Sequence, residues 1–337
     1  MGLQTKQLTE SKTLKKQKDM KHRCLKSKLM ACLLTIAIAG GCLFTSCEDW
    51  TDPEEVDYTI QDPSEQNPEL WARYTESLRV YKLERTHYIT YASFNNGVEP
   101  SKNEGDYLRS LPDSLDFVTL ANSENITASD REDIPGLQEK STRVLYHVDY
   151  AKKMAELPDD TALSTWLDKA VATVAELKMD GFAFSGIPLY GGTDDEQAAR
   201  KASAKLIISK LSATGKALIF EGDPSFVDAA DMEKLDYVVL NTADIERAVA
   251  LKLLVANTLE MHTMLSKAQL ILATKMNGKL ADEDGKWHNA VLEIPNRVVG
   301  LGPLGGMAIY SIGEDYYQPE KNYHTCRTAI QTMNPSM

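Results

Sequence analysis

The chain predicts a (β/α)₈ barrel, and three observations carry that expectation. Eight short runs rich in Val, Ile, Leu, Tyr and Phe recur from residue 87 to residue 312. Helical apolar periods lie between several of them, which is the alternation expected of a parallel sheet with helices packed outside it. No Gly-rich phosphate loop marks a nucleotide-binding sheet. An open, doubly wound sheet is the alternative topology.

The strand-like runs occupy residues 87–94, 115–120, 143–149, 181–185, 217–221, 237–240, 270–274 and 306–312. Each has strand length and is bounded by polar or turn-forming residues. Between the third and fourth runs, Leu163, Trp166, Leu167, Val171, Val174 and Leu177 recur at three- and four-residue spacing. This predicts a helix with Trp166 on its core-facing stripe. Ala202, Leu206 and Leu211 predict a second helix, and residues 244–267 a third, with Asp244 as its N-cap. In such a barrel, sites form where strands end, on the C-terminal face.

The first part of the chain differs in kind. Lys21, Arg23, Lys26 and Lys28 precede an apolar run over residues 29–44, the basic and apolar regions of a secretory signal. Its 16 residues fall short of the roughly 20 needed to span a bilayer. The run ends in Leu43-Phe44-Thr45-Ser46-Cys47, which resembles a bacterial lipobox. That resemblance implies cleavage before Cys47 and acylation of its thiol and new amine, and several acyl chains hold a protein firmly to a membrane. Cys42 is the competing cut site, and an uncleaved anchor is the other reading. Glu48, Asp49 and Asp52 favour Cys47, resembling the acidic signals that send lipoproteins of glycan-foraging Gram-negative bacteria to the cell surface. The expected organisation is a signal peptide over 1–46, an acidic flexible stalk over 47–74, and a barrel over 75–337.

Composition excludes several classes of partner. Nine of the 37 basic and two of the 49 acidic residues fall in 1–46, leaving 28 basic and 47 acidic residues, a net charge of −19 on the rest. Such a body repels phosphate backbones, so nucleic acid is not expected as a partner. Cys24, Cys32 and Cys42 leave with the signal and Cys47 takes lipid, so Cys326 stands alone and no disulfide, zinc or dithiol chemistry is expected. The six His show no pair at metal-ligand spacing, and neither a metal nor a cofactor is anticipated.

Function is carried by the fourth run. Asp180-Gly181-Phe182-Ala183-Phe184-Ser185-Gly186-Ile187 resembles the fourth strand of glycoside hydrolase family 18, the chitinases and endo-β-N-acetylglucosaminidases, whose pattern is Asp-Gly-x-Asp-x-Asp-x-Glu. Asp180, Gly181, Phe182 and Phe184 match, while the three later acidic positions fall on Ala183, Ser185 and Ile187. Tyr146-His147-Val148-Asp149, and Gly306 to Tyr310 with Asp315-Tyr316, resemble the endoglycosidase branch. Where the family has Gln-x-Tyr on strand six, this chain has Leu240-Asn241-Thr242.

The resemblance implies a barrel whose last motif position would protonate the leaving oxygen and whose preceding aspartate would orient the substrate's N-acetyl group. Ile187 and Ser185 can do neither. The expectation is therefore a catalytically inactive, lipid-anchored outer-membrane protein that binds N-acetylglucosamine-containing glycans or glycoproteins and supports an outer-membrane glycan importer. An active endo-β-N-acetylglucosaminidase using displaced carboxylates is the alternative. Candidate sugar contacts are Tyr91, Tyr146, Asp149, Glu221, Asn241, Trp287 and Tyr310. Glu221 reads either as a relocated acid or as a solvated carboxylate, Asp180 as a structural acceptor beneath the barrel, and Trp287 as a ring on a polar loop that no helix period explains. Sugars offer C–H faces that stack on such rings without any catalytic charge.

Overall fold

In the computed structural model, which describes residues 62–335, ten strands are present. They are β1 (Ile89–Phe94), β2 (Phe117–Leu120), β3 (Arg143–Asp149), β4 (Gly181–Ser185), β5 (Ala217–Gly222), β6 (Tyr237–Leu240), β7 (Leu270–Lys275), β8 (Lys279–Ala281), β9 (Trp287–Asn289) and β10 (Gly306–Tyr310). Eight of them close into a parallel barrel in the order β1-β10-β7-β6-β5-β4-β3-β2. Closure is visible at β1, where Tyr91 lies opposite both Phe117 and Ala308. All eight anticipated runs are these barrel strands. β8 and β9 form a separate antiparallel hairpin in the stretch expected as a polar loop.

Strand alternation divides the core in two. Ile89, Tyr91, Phe117, Leu145, Ala183, Ile219, Val239, Ile271, Ala273 and Ala308 form one cluster inside the barrel. The intervening residues, such as Phe94, Val118, Tyr146, Phe182, Phe184 and Ile309, join the larger cluster beneath the helices. Strands buried on both faces read as continuous apolar runs, which is why they were legible. Gly181 begins β4 on the inner face, and a Cβ there would fall 2.1 Å from the Ala217 carbonyl oxygen, so only glycine lets β4 and β5 approach.

The helices are α1 (Pro68–Arg79), α2 (Ala128–Glu139), α3 (Asp160–Glu176), α4 (Asp194–Ser212), α5 (Ala248–Met261), α6 (Ala290–Gly300) and α7 (His324–Met333). Thr127 and Asp130 form a capping box on α2, Thr193 and Glu196 another on α4, and Asp159 caps α3. Asp244 does not cap α5. That helix starts after Arg247 without a side-chain cap, and the Asp244 carboxylate is instead bound by Lys275 at the end of β7.

Residues 67–335 make up the barrel unit, and residues 62–66 belong to a separate unit containing one helical turn, Pro63–Gln66. The expected signal peptide, Cys47 and residues 47–61 of the expected stalk lie outside the described residues. Residues 68–74 correct the stalk boundary, because they are the start of α1. Asn67 accepts a hydrogen bond from the Leu70 N–H and Pro68 occupies the first turn, where its missing N–H costs nothing. The Trp71 indole donates to Glu139 and the Tyr74 hydroxyl to Asp113, both at 2.7 Å. Lys82 follows, buried, donating to the Lys140 carbonyl and the Thr142 hydroxyl. Asp113 and Thr142 precede β2 and β3, so this segment covers the N-terminal end of the barrel.

Candidate functional site

Strand register builds the site at the opposite end. Asp149 of β3, Ser185 of β4 and Glu221 of β5 lie side by side at one level. Two strand spacings put about 10 Å between the backbones of the two acids. The Ser185 hydroxyl donates to Asp149 Oδ1 at 2.7 Å, and Asp149 also caps the turn that follows β3 by accepting from the Lys152 N–H. Glu221 accepts a short hydrogen bond from the hydroxyl of Tyr91, which reaches it from β1. His147, inward-facing on β3, brings Nε2 to 3.9 Å from Glu221 Oε1, and that nitrogen is buried without a hydrogen-bond partner. Burial, reinforced by the Glu221 carboxylate, raises the hydroxyls of Tyr91 and Tyr310 well above the ordinary tyrosine value. Both stay protonated and serve as donors. The arrangement is a half-buried carboxylate ringed by two phenols and an imidazole, suited to holding hydroxyl-bearing ligands.

The fourth strand sits as its alternation requires. Ala183 is fully buried among the inner side chains, Ser185 lies one step nearer the mouth, and Ile187 follows, half-buried, past the end of β4. The exit of that strand is tightly packed, since a Cβ on Gly186 would fall 2.2 Å from the Phe226 ring. Asp180 lies at the other end. Its carboxylate accepts from the Val144 N–H at 2.8 Å and the Gln138 amide at 2.9 Å, tying β4 to β3 and α2.

Of the anticipated contacts, Tyr91, Glu221 and Tyr310 come together, and Asp149 joins them through Ser185. Tyr146 does not. It has the opposite parity to His147 and points out of the barrel, where it lines a cavity of about 860 Å³ beside α2 and α3. Trp166 packs against the outer core from its helix stripe as expected, and its half-buried ring also lines that cavity and donates its indole N–H to Glu124 at 2.6 Å. Asn241 is exposed just past β6, and the buried neighbour Thr242 bonds the Ala273 carbonyl instead. Trp287 opens β9 with 54% of its surface exposed, and lines a hollow of about 440 Å³ with Asp244, Lys275 and Asn277. Lys275 ends β7, so this hollow opens on the C-terminal face.

His147 was missed as a site residue, although its position two residues before Asp149 places it on the same face. Among the described residues, no group of three or more His, Cys, Asp or Glu is arranged to hold a metal ion, and no helix is long and apolar enough to cross a membrane. Cys326 is buried on the inner side of α7, where burial and the nearby Asp315 carboxylate push its thiol far up.

Comparison with known proteins agrees with this geometry. Residues 51–157 match the description of glycoside hydrolase family 18, BT1044-like. No curated protein matches. Among solved structures, a selenomethionine BT1044 variant superposes with a TM-score of 0.64 at 14% identity, over 82% of this chain and 96% of that one. An endo-β-N-acetylglucosaminidase from Cordyceps militaris gives 0.56 at 18% identity, over 77% and 95%. YKL-39, solved in the presence of chitooligosaccharides, gives 0.56 at 11% identity, over 73% and 100%. The closed eight-stranded barrel is the (β/α)₈ fold of these solved structures, and over residues 51–157 the chain is similar to glycoside hydrolase family 18, BT1044-like.

Proposed function

We propose that this protein holds an N-acetylglucosamine-containing glycan of the N-glycan type at its barrel mouth without cleaving it. The observation that carries this reading is the placement of Ala183, Ser185 and Ile187. Positions 183 and 185 face the interior of the barrel on the strand where the family resemblance expects carboxylates, and Ile187 stands where the proton donor would be. An alkyl chain has no proton to give, and a serine hydroxyl cannot stand in for a carboxylate at neutral pH. General acid catalysis contributes typically 10²- to 10⁴-fold, and stabilisation of developing positive charge a comparable amount. What remains is a polar cup of Tyr91, Glu221, Tyr310 and His147, with Trp287 as a stacking surface beside it. Attachment through lipid at Cys47, display on the outer-membrane surface and delivery to a glycan importer complete the proposal. Cys47→Ala should release the expressed protein from the membrane fraction. Release by Cys42→Ala instead would move the attachment site.

A second reading has one observation in its favour. Glu221 lies level with Ser185 on the neighbouring strand, close enough to the vacated positions to act as a displaced acid. Against it, Glu221 already accepts a hydrogen bond from Tyr91, an arrangement that uses its oxygen as an acceptor rather than as a proton source. Calorimetry with a high-mannose glycopeptide is expected to show binding, and prolonged incubation to release no glycan. Release that disappears in Glu221→Gln would establish the enzymatic reading.

A further inference from the structure

The 860 Å³ cavity beside α2 and α3 belongs to neither the barrel mouth nor the hollow at Trp287. Its size falls within the roughly 300–1,000 Å³ typical of small-molecule sites. β3 separates it from the mouth, with Tyr146 facing the cavity and His147 facing Glu221.

Its lining has a specific chemistry. The Tyr146 side chain is 4% exposed and lines the cavity, and its hydroxyl has no hydrogen-bond partner among the described residues, so a donor stands free for a ligand there. The Trp166 ring is fixed beside it by the bond from its indole N–H to Glu124 Oε1 at 2.6 Å, and Lys153 holds the other oxygen of Glu124 at 3.4 Å. Asn125 adds an amide from the loop after β2. Burial, with the Glu124 carboxylate, pushes the Tyr146 phenol up to about 12, which keeps it a neutral donor.

Charge then narrows the ligand. Arg131, Lys153 and Lys169 on the wall oppose a cation, while Glu124 and Asp159 oppose an anion. Several of these groups are already paired within the wall, Arg131 with Glu176, Lys153 with Glu124 and Glu156, and Asp159 with the Ala162 N–H, so a hydrocarbon would only strip their water and leave the Tyr146 hydroxyl without a partner. A neutral ring carrying several hydroxyls can instead lay a C–H face on Trp166, bond the free Tyr146 hydroxyl and reach the remaining lone pairs of Glu124. We infer that this cavity is a second carbohydrate site, taking a neutral pyranose on the outer flank of the barrel. It stands whether or not the mouth binds glycan.

The test is saturation-transfer NMR on the full protein with methyl α-mannopyranoside, lactose and N,N′-diacetylchitobiose as probes. At least one is expected to bind, with Tyr146→Phe weakening it about fivefold to tenfold, the scale of one lost hydrogen bond. Asn125→Ala, on the loop, should act in the same direction and covers the case in which Tyr146→Phe fails to fold. Glu221→Gln, which alters only the mouth, separates the two sites. Absence of binding by all three sugars, or binding abolished by Glu221→Gln and untouched by Tyr146→Phe and Asn125→Ala, would overturn the inference.

Discussion

Lys82 shows how one residue sets a measurable property of the barrel's closed end. Burial holds its ammonium at about 8, below the ordinary lysine value, although Asp116 and Asp113 pull the other way. In the unfolded chain a lysine keeps its proton to above pH 10. Between pH 8 and 10 the unfolded state therefore binds more protons than the folded one, and stability rises with pH. Between pH 8 and 10 the change in urea-unfolding stability should be more favourable in the parent than in Lys82→Met by about 1 to 3 kcal/mol. Equal slopes in the two proteins would show that Lys82 is not the group responsible. Strand position made part of the site readable: Asp149, Glu221 and Tyr310 lie at or next to the ends of their strands, and Tyr91 reaches Glu221 from the middle of β1. Tyr146 stands apart from the mouth because the face of a strand, more than nearness to its end, decides where a side chain points. The alternation that puts 183 and 185 inside the barrel also puts 147 and 149 inside and 146 outside.

At the scale of elements, the barrel strands were legible because both of their faces are buried, which leaves continuous apolar runs of strand length. β8 and β9 escaped because each has three residues and, of their side chains, only Leu280 and Ala281 are buried, too few to show a period of two. α1 escaped for another reason. None of its residues is buried, and its attachment rests on hydrogen bonds from Trp71 and Tyr74 that no apolar periodicity announces. On the proposed reading the hairpin bears on function because it presents Trp287 to solvent on the C-terminal face. Trp287→Ala is expected to weaken glycan binding by roughly 1 to 2 kcal/mol, the scale of one aromatic anchor. The melting temperature should be unchanged, since the ring is exposed and β8 and β9 pair through their backbones. Unaltered affinity in this variant, measured by calorimetry, would remove the hairpin from the binding surface.

For the whole molecule, fold and chemistry separate. The barrel closes with family 18-like geometry, and the inward positions of β4 are occupied by glycine, alanine and serine. Groups that act as a unit in catalysis are strongly non-additive, so on the proposed reading a mouth lacking three of them keeps its shape without turnover. Its remaining polar groups, Tyr91, Glu221, Tyr310 and His147, can still exchange hydrogen bonds with a sugar. Native mass spectrometry of the full protein after prolonged incubation with a high-mannose Asn-linked glycopeptide examines retention and cleavage together. The account predicts a one-to-one complex carrying the intact glycopeptide. A peptide bearing a single N-acetylglucosamine, or the absence of any complex, would contradict it.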